Sequence, residues 1–153
     1  MSDSDLDILL RKYLNRKKMK NSNYSQVVSL NKMWNTLDPS HISDLISNNI
    51  YYESYWVIRP IRKKERFLDF FEKKLKTIKD AVEKGRVTIE TKIVHIKGND
   101  EEYFLILKQH VKGVYNESLI TVSVKDGLIE KMTIEPLRRR FRVNMVVDTE
   151  VNN

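Results

Sequence analysis

The sequence predicts an α+β fold, a curved antiparallel sheet wrapped around a long helix, with an extra amphipathic helix at the N-terminus. Three observations carry this. Apolar residues recur at helical spacing through most of the chain up to Gly85. From residue 86 the period becomes that of strands, interrupted by turn signals. Helices followed by a run of strands, rather than an alternation of the two, is the pattern of an α+β domain.

Taken in order, residues 4–18 place Leu6, Leu9, Leu10, Tyr13 and Leu14 on one helical face. Asp3, Asp5 and Asp7 stand at the start and Arg16, Lys17 and Lys18 at the end, as the helix dipole favours. Such a helix suits the surface of the domain or of a partner subunit; the sharper alternative is a membrane-surface anchor. "KNSNYS" (20–25) is a polar break before a second helix, 24–37, whose apolar face is Val27, Leu30, Met33, Trp34 and Leu37. Asp38 as N-cap and Pro39 at the first helical position open a short third helix.

"NNIYYES" leaves that helix as a strand and leads into four large aromatics within six positions: Tyr51, Tyr52, Tyr55 and Trp56. Strand alternation separates Tyr51, Glu53 and Tyr55 from Tyr52, Ser54 and Trp56. Aromatics supply large contact areas to cores and interfaces alike, so the stretch fits a pocket wall or a packed core. The segment 62–85 is a long amphipathic helix with Phe67, Leu68, Phe71, Leu75, Ile78 and Val82 as its stripe and Gly85 as its stop. Four strands follow, at 86–97, 102–112, 116–125 and 127–135, with hairpin turns at "KGND" and "KDG" and a connection at "KGVYN".

The bulk properties narrow the function. A chain of 153 residues, 41% hydrophobic and 32% charged, fits one domain with one core. The absence of Cys excludes disulfides, a thiolate zinc site and a cysteine nucleophile. No apolar run approaches the ~20 residues of a membrane span. The N-terminus lacks the basic start and apolar region of a signal peptide, so a cytoplasmic location is expected. Of the net charge of +7, most sits at the ends: residues 1–20 hold six Lys/Arg against three Asp, and residues 136–142 hold four Arg. A nucleic-acid-binding domain more often carries its charge on the folded body.

The order helix, short "D-P" helix, "IYYES" strand, long helix and meander closing on "KDGLIEKMTIEPL" resembles the nuclear transport factor 2-like superfamily, which includes ketosteroid isomerases and SnoaL-type cyclases. The matched signals are "WNTLDPSHISDLISNNIYYES", "RKKERFLDFF" and "DGLI", and the resemblance covers residues 24–136. The order of elements is its specific part, and each motif alone is weak. Lys63 or Lys64 stands where the family pattern usually has Gly. The chain divides accordingly into an N-terminal helix and linker (1–23), the domain (24–136) and a basic tail (137–153).

The resemblance implies a cone-shaped α+β barrel with an apolar pocket at its open end and an outer sheet face that often makes a homodimer. Because the fold hosts enzymes, ligand binders and interaction modules, function must be argued from the site. The candidate pocket residues are Trp34, Tyr52, Ser54, Tyr55, Trp56, Phe71, His95 and His110. Isomerase chemistry needs a carboxylate base and a donor for the enolate oxygen. Aligned on "NIYYESY", the base position is Ser54, with Tyr55 where the family has Pro, and the oxyanion Tyr falls at or near Leu30. Both groups are replaced, which argues against that reaction.

Among the remaining polar residues of the meander, Glu90, Lys108, Gln109 and Glu117 accompany the two histidines. Pairing around "KGND" puts His95, Thr91 and Ile89 on one face with Phe104, Ile106, Lys108 and His110. Three His without HExxH spacing give no metal site, and no Gly-rich phosphate loop or nucleophile elbow occurs, so no metal and no cofactor are expected. In "RRRFR", Arg138, Arg139, Arg140 and Arg142 around Phe141 are candidates for anion binding, with the ring able to stack on a base. The favoured reading is a non-catalytic, dimeric domain that binds a small apolar ligand or a protein partner. The alternatives are a SnoaL-like enzyme (cyclase, isomerase or dehydratase type) using a pocket His, and a nucleic-acid or anion binder acting through the basic termini.

Overall fold

A computed structural model describes residues 4–11 and 22–148. Residues 4–11 form helix α1, whose Leu6, Ile8, Leu9 and Leu10 are at least half exposed. The remainder of the helix expected over 4–18 lies outside the described residues, as does the end of the C-terminal tail. α2 (Tyr24–Thr36) buries Val27, Leu30, Met33 and Trp34, the face that the spacing predicts. It stops where Leu37 turns left-handed, at φ 56°, and the Asp38 amide donates back to the Met33 carbonyl at 3.2 Å.

Asp38 then caps the next turn, accepting from the Ser40 amide at 2.9 Å, with Pro39 at the first position. The short helix expected here is two 3-10 turns, Pro39–His41 and Ser43–Leu45, which run directly into strand β1 (Ile46–Ser54). α3 (Lys64–Glu83) buries Phe67, Phe71 and Leu75. The meander consists of β2 (Val87–Ile96), β3 (Asn99–Val111), β4 (Val114–Lys125) and β5 (Leu128–Pro136). The short helix α4 (Arg139–Arg142) and strand β6 (Met145–Val147) complete the described chain.

The six strands form one sheet in the order β1-β5-β4-β3-β2-β6. It is antiparallel except at β1, which joins β5 in parallel with Tyr52 opposite Met132 and Ser54 opposite Ile134. The sheet stays open, with β1 and β6 as its edges, and α3 spans its concave side by touching both β1 and β2. The inner face carries Ile93, Tyr103, Leu105, Leu107, Ile120, Val122, Met132 and Ile134, packed against α2 and α3 as one core.

Polar side chains on α2 and at its N-cap, Asn23, fix its place on this face. The Asn23 amide donates to the Tyr103 and Val122 carbonyls at 2.9 and 2.8 Å, and its oxygen accepts from the Tyr103 amide at 2.7 Å. Further along, the Thr91 hydroxyl contacts the side-chain oxygens of Asn31 and Asn35 at 2.5 and 2.9 Å. The outer face has its own small cluster, Val94, Ile106 and Leu119, over which Leu137, Phe141 and Met145 pack. β6 pairs with β2, and the Arg142 guanidinium lies 2.9 Å from the Glu117 carboxylate. Residues 137–147 thus run over the outer face and extend the sheet.

The pairing of β2 with β3 differs from the one expected around "KGND". His95 lies opposite Tyr103, not on the face of Phe104, Ile106, Lys108 and His110. The ladder shifts register between His95 and Ile96, so counting alternation through the turn misplaces every β2 side chain by one face.

Candidate ligand-binding site

The residues of "IYYESYW" divide by the strand pleat. Tyr52 and Ser54 point inward and are buried, while Tyr51 and Glu53 point outward. Tyr51 is flanked by the cations of Arg62 and Lys131, 4.8 and 5.7 Å from its ring centre. Past the strand end, the Tyr55 hydroxyl meets the Ser118 hydroxyl at 2.6 Å, and the Trp56 amide donates to Ser54 Oγ at 3.1 Å. These two bonds fold the turn after β1 over the concave side of the sheet.

Inside that turn the aromatics form a continuous chain of ring contacts. Tyr55 and Trp56 are 5.3 Å apart, Trp56 and Trp34 6.0 Å, Trp34 and Phe71 6.3 Å, and Phe71 and Tyr52 5.2 Å. Phe70 closes the group, 5.6 Å from Tyr52 and 5.3 Å from Phe71. Trp34, Tyr52 and Phe71 are fully buried, Trp56 and Phe70 half-buried, and Tyr55 half-exposed, so the cluster grades from core to surface. Two of its polar atoms, Trp34 Nε1 and the Tyr52 hydroxyl, are buried without a hydrogen-bond partner among the described residues. Burial pushes the Tyr52 phenol well above its ordinary value, which keeps it neutral.

At the surface end, Lys74 lays its ammonium over the Trp56 ring, 3.8 Å from the centre. Burial holds its pKa below the usual lysine value. A groove of about 520 Å³ runs beside it along α3, lined by Asp69, Phe70, Lys73, Lys74, Thr77 and Ile78. A second depression, of about 400 Å³, lies where β1 and β5 end, lined by Glu53, Ser54 and Tyr55 and by Thr133 through Pro136.

Of the eight candidate pocket residues, Trp34, Tyr52, Ser54, Tyr55, Trp56 and Phe71 come together. His95 is on the inner face but stands over Tyr103, 5.5 Å between ring centres, on β2, with three strands between it and β1. His110 is on the outer face, stacked on Tyr115 at 4.6 Å, so the two histidines do not share a site. Leu30 is fully buried in the core. In the arginine segment, Arg142 is ion-paired with Glu117, Arg140 lies 5.3 Å from the Phe141 ring, and that ring packs on the sheet.

Sequence reasoning missed Lys74 and Ser118. Lys74 was discoverable: Phe71, Lys74 and Ile78 follow i, i+3, i+7 spacing, which sets the lysine on the flank of the apolar stripe. Ser118 had no such signal, because only the fold brings it to Tyr55. Among the described residues no group of His, Asp and Glu is placed to hold a metal.

A long helix cradled by an open, curved sheet, with an aromatic cluster at one end, is the nuclear transport factor 2-like fold. The chain is similar to a nuclear transport factor 2-like protein of unknown function from Cytophaga hutchinsonii (TM-score 0.51, 14% identity, 76% of this chain and 92% of that one). It is similar to a steroid delta-isomerase from Pseudomonas aeruginosa (TM-score 0.53, 10% identity, 72% of this chain and 75% of that one). A de novo designed protein with a curved β-sheet also aligns (TM-score 0.53, 16% identity, 84% of this chain and 92% of that one). No family profile matches the sequence, and no curated protein does. At these identities the likeness is one of fold.

Proposed function

We propose that this domain binds a small apolar ligand without transforming it, at the surface end of the Tyr55–Trp56–Trp34 cluster. The carrying observation is a groove lined by the apolar side chains of Phe70 and Ile78 and by Lys74, which joins it to the cluster by covering the ring of half-buried Trp56. The volume falls within the ~300–1,000 Å³ typical of small-molecule sites. Against catalysis of the isomerase kind stand Ser54, whose hydroxyl already accepts the Trp56 amide, and the buried aliphatic Leu30. The separation of His95 and His110 removes an acid/base pair from the same end. The arginine segment supports nucleic-acid binding less well, since Phe141 packs on the sheet and Arg142 is neutralised by Glu117.

The test is a titration with N-phenyl-1-naphthylamine, a neutral apolar fluorophore, following tryptophan emission. The expected result is saturable one-to-one quenching that Trp56→Leu diminishes and Trp34, shielded in the core, does not replace. A linear, unsaturable response in the wild type would overturn the reading. The exposed apolar residues of α1 favour a second reading, docking on a protein partner or a second copy of the chain. Light scattering of the wild type against Leu9→Asp tests it: a dimer that dissociates supports it, and a monomer in both removes the second copy as partner.

A further inference from the structure

We propose that the ligand of the α3 groove carries a carboxylate and that Lys74 is its counter-ion. The inference rests on the ligand-binding reading above and adds the chemical class.

The groove contains two adjacent lysines in different circumstances. Lys73 is exposed and already neutralised by Asp69 at 3.1 Å, one helical turn before it. Lys74 is half-buried, and among the described residues no carboxylate lies within ion-pair distance of it. Among the described residues, its partner is the face of Trp56. A ring face compensates an ammonium only in part and leaves its N–H donors to be satisfied from the groove side. A partly desolvated cation beside an apolar wall is the arrangement that gains most from an incoming anion, because the pair forms where water screens it least. Phe70 and Ile78 supply the apolar surface for the rest of such a ligand.

The charge at the groove sets the sign of the head group: an anion complements the Lys74 ammonium, whereas an amine would meet it with like charge.

Matched probes test the proposal. Decanoate and 1-decanol share a chain and differ in the head group, and calorimetry on the full chain gives both affinities. A charge-assisted hydrogen bond predicts decanoate binding about ten-fold or more tighter than decanol in the wild type. Lys74→Met should weaken decanoate about ten-fold and leave decanol unchanged. Lys74→Arg should keep the preference, and so should Lys76→Met, a charge removed from the same helix outside the groove. Equal binding of acid and alcohol in the wild type would overturn the carboxylate and leave the ligand site standing. So would a preference that survives in Lys74→Met. Binding of neither probe would remove both this inference and the apolar-ligand reading beneath it.

Discussion

Tyr52 illustrates how one atom can matter more than a side chain's bulk. Its ring is packed by Phe67, Phe70 and Phe71, while its hydroxyl, beside the Ser54 side chain, completes no well-aligned hydrogen bond among the described residues. An unsatisfied buried donor costs about 1–3 kcal/mol, so Tyr52→Phe should leave urea stability at pH 7 unchanged or raise it by about 1 kcal/mol. The same residue sets an alkaline limit. Burial raises the folded-state pKa above the ordinary 10.0, so the folded protein holds a proton that the unfolded chain releases. Stability is unaffected below that value and falls as pH rises past it, by about 1.4 kcal/mol per pH unit for this one group. Urea melts at pH 9 and 11 should show the loss in the wild type and a smaller one in Tyr52→Phe; equal losses would mean the phenol ionises where it sits. Asn23 is the counter-example, a buried polar group whose two N–H donors and amide oxygen all find partners on the Tyr103 and Val122 backbone. In the sequence it is one letter of a polar break. Its partners are 80 and 99 residues away, so no local pattern could have marked it.

At the scale of elements, what could be read and what could not divide by range of interaction. The face of α2, the stripe of α3 and the Asp38–Pro39 start were legible because they depend on residues within two turns of one another. Even so, the α3 stripe does not bury evenly: Phe71 is inaccessible, while Val82 at its end is 37% exposed. Phe71→Ala should therefore cost about 3–5 kcal/mol in unfolding free energy and Val82→Ala less than about 1, a contrast that would vanish if the helix were free to slide. The Asp126-Gly127 turn was legible too, since φ values of 53° and 79° suit that pair. Lys112-Gly113 makes a turn of the same sign, 50° and 80°, but Lys is an unusual first residue there, so the connection is tighter than the sequence suggested and β4 begins at Val114 rather than at 116. The faces of β2 were not legible, because one register shift at His95 reverses them. The aromatic half of the candidate site was found by composition; its charged member, Lys74, was hidden among seven other Lys and Arg of the same helix and its approach.

For the molecule as a whole, the most consequential packing is on the outer sheet face. Leu137, Phe141 and Met145 cover Val94, Ile106 and Leu119, and the Arg142–Glu117 pair adds an exposed tie worth about 1 kcal/mol or less. A chain ending at Pro136 would present that apolar patch to solvent and unpair the edge of β2. It should self-associate at concentrations where the full chain keeps its mass, as light scattering would show, and equal masses would mean the cover does nothing to limit association. The parallel pairing of β1 with β5 has a consequence of another kind. A ribosome delivers Tyr52 long before Met132, its neighbour in the sheet, and Asn23 long before Val122. The first third of the chain therefore waits, its aromatics unburied, until the last hairpin is made. The protein's most vulnerable moment falls during its own synthesis, and the pace of translation from Tyr52 to Met132 sets how long the vulnerability lasts.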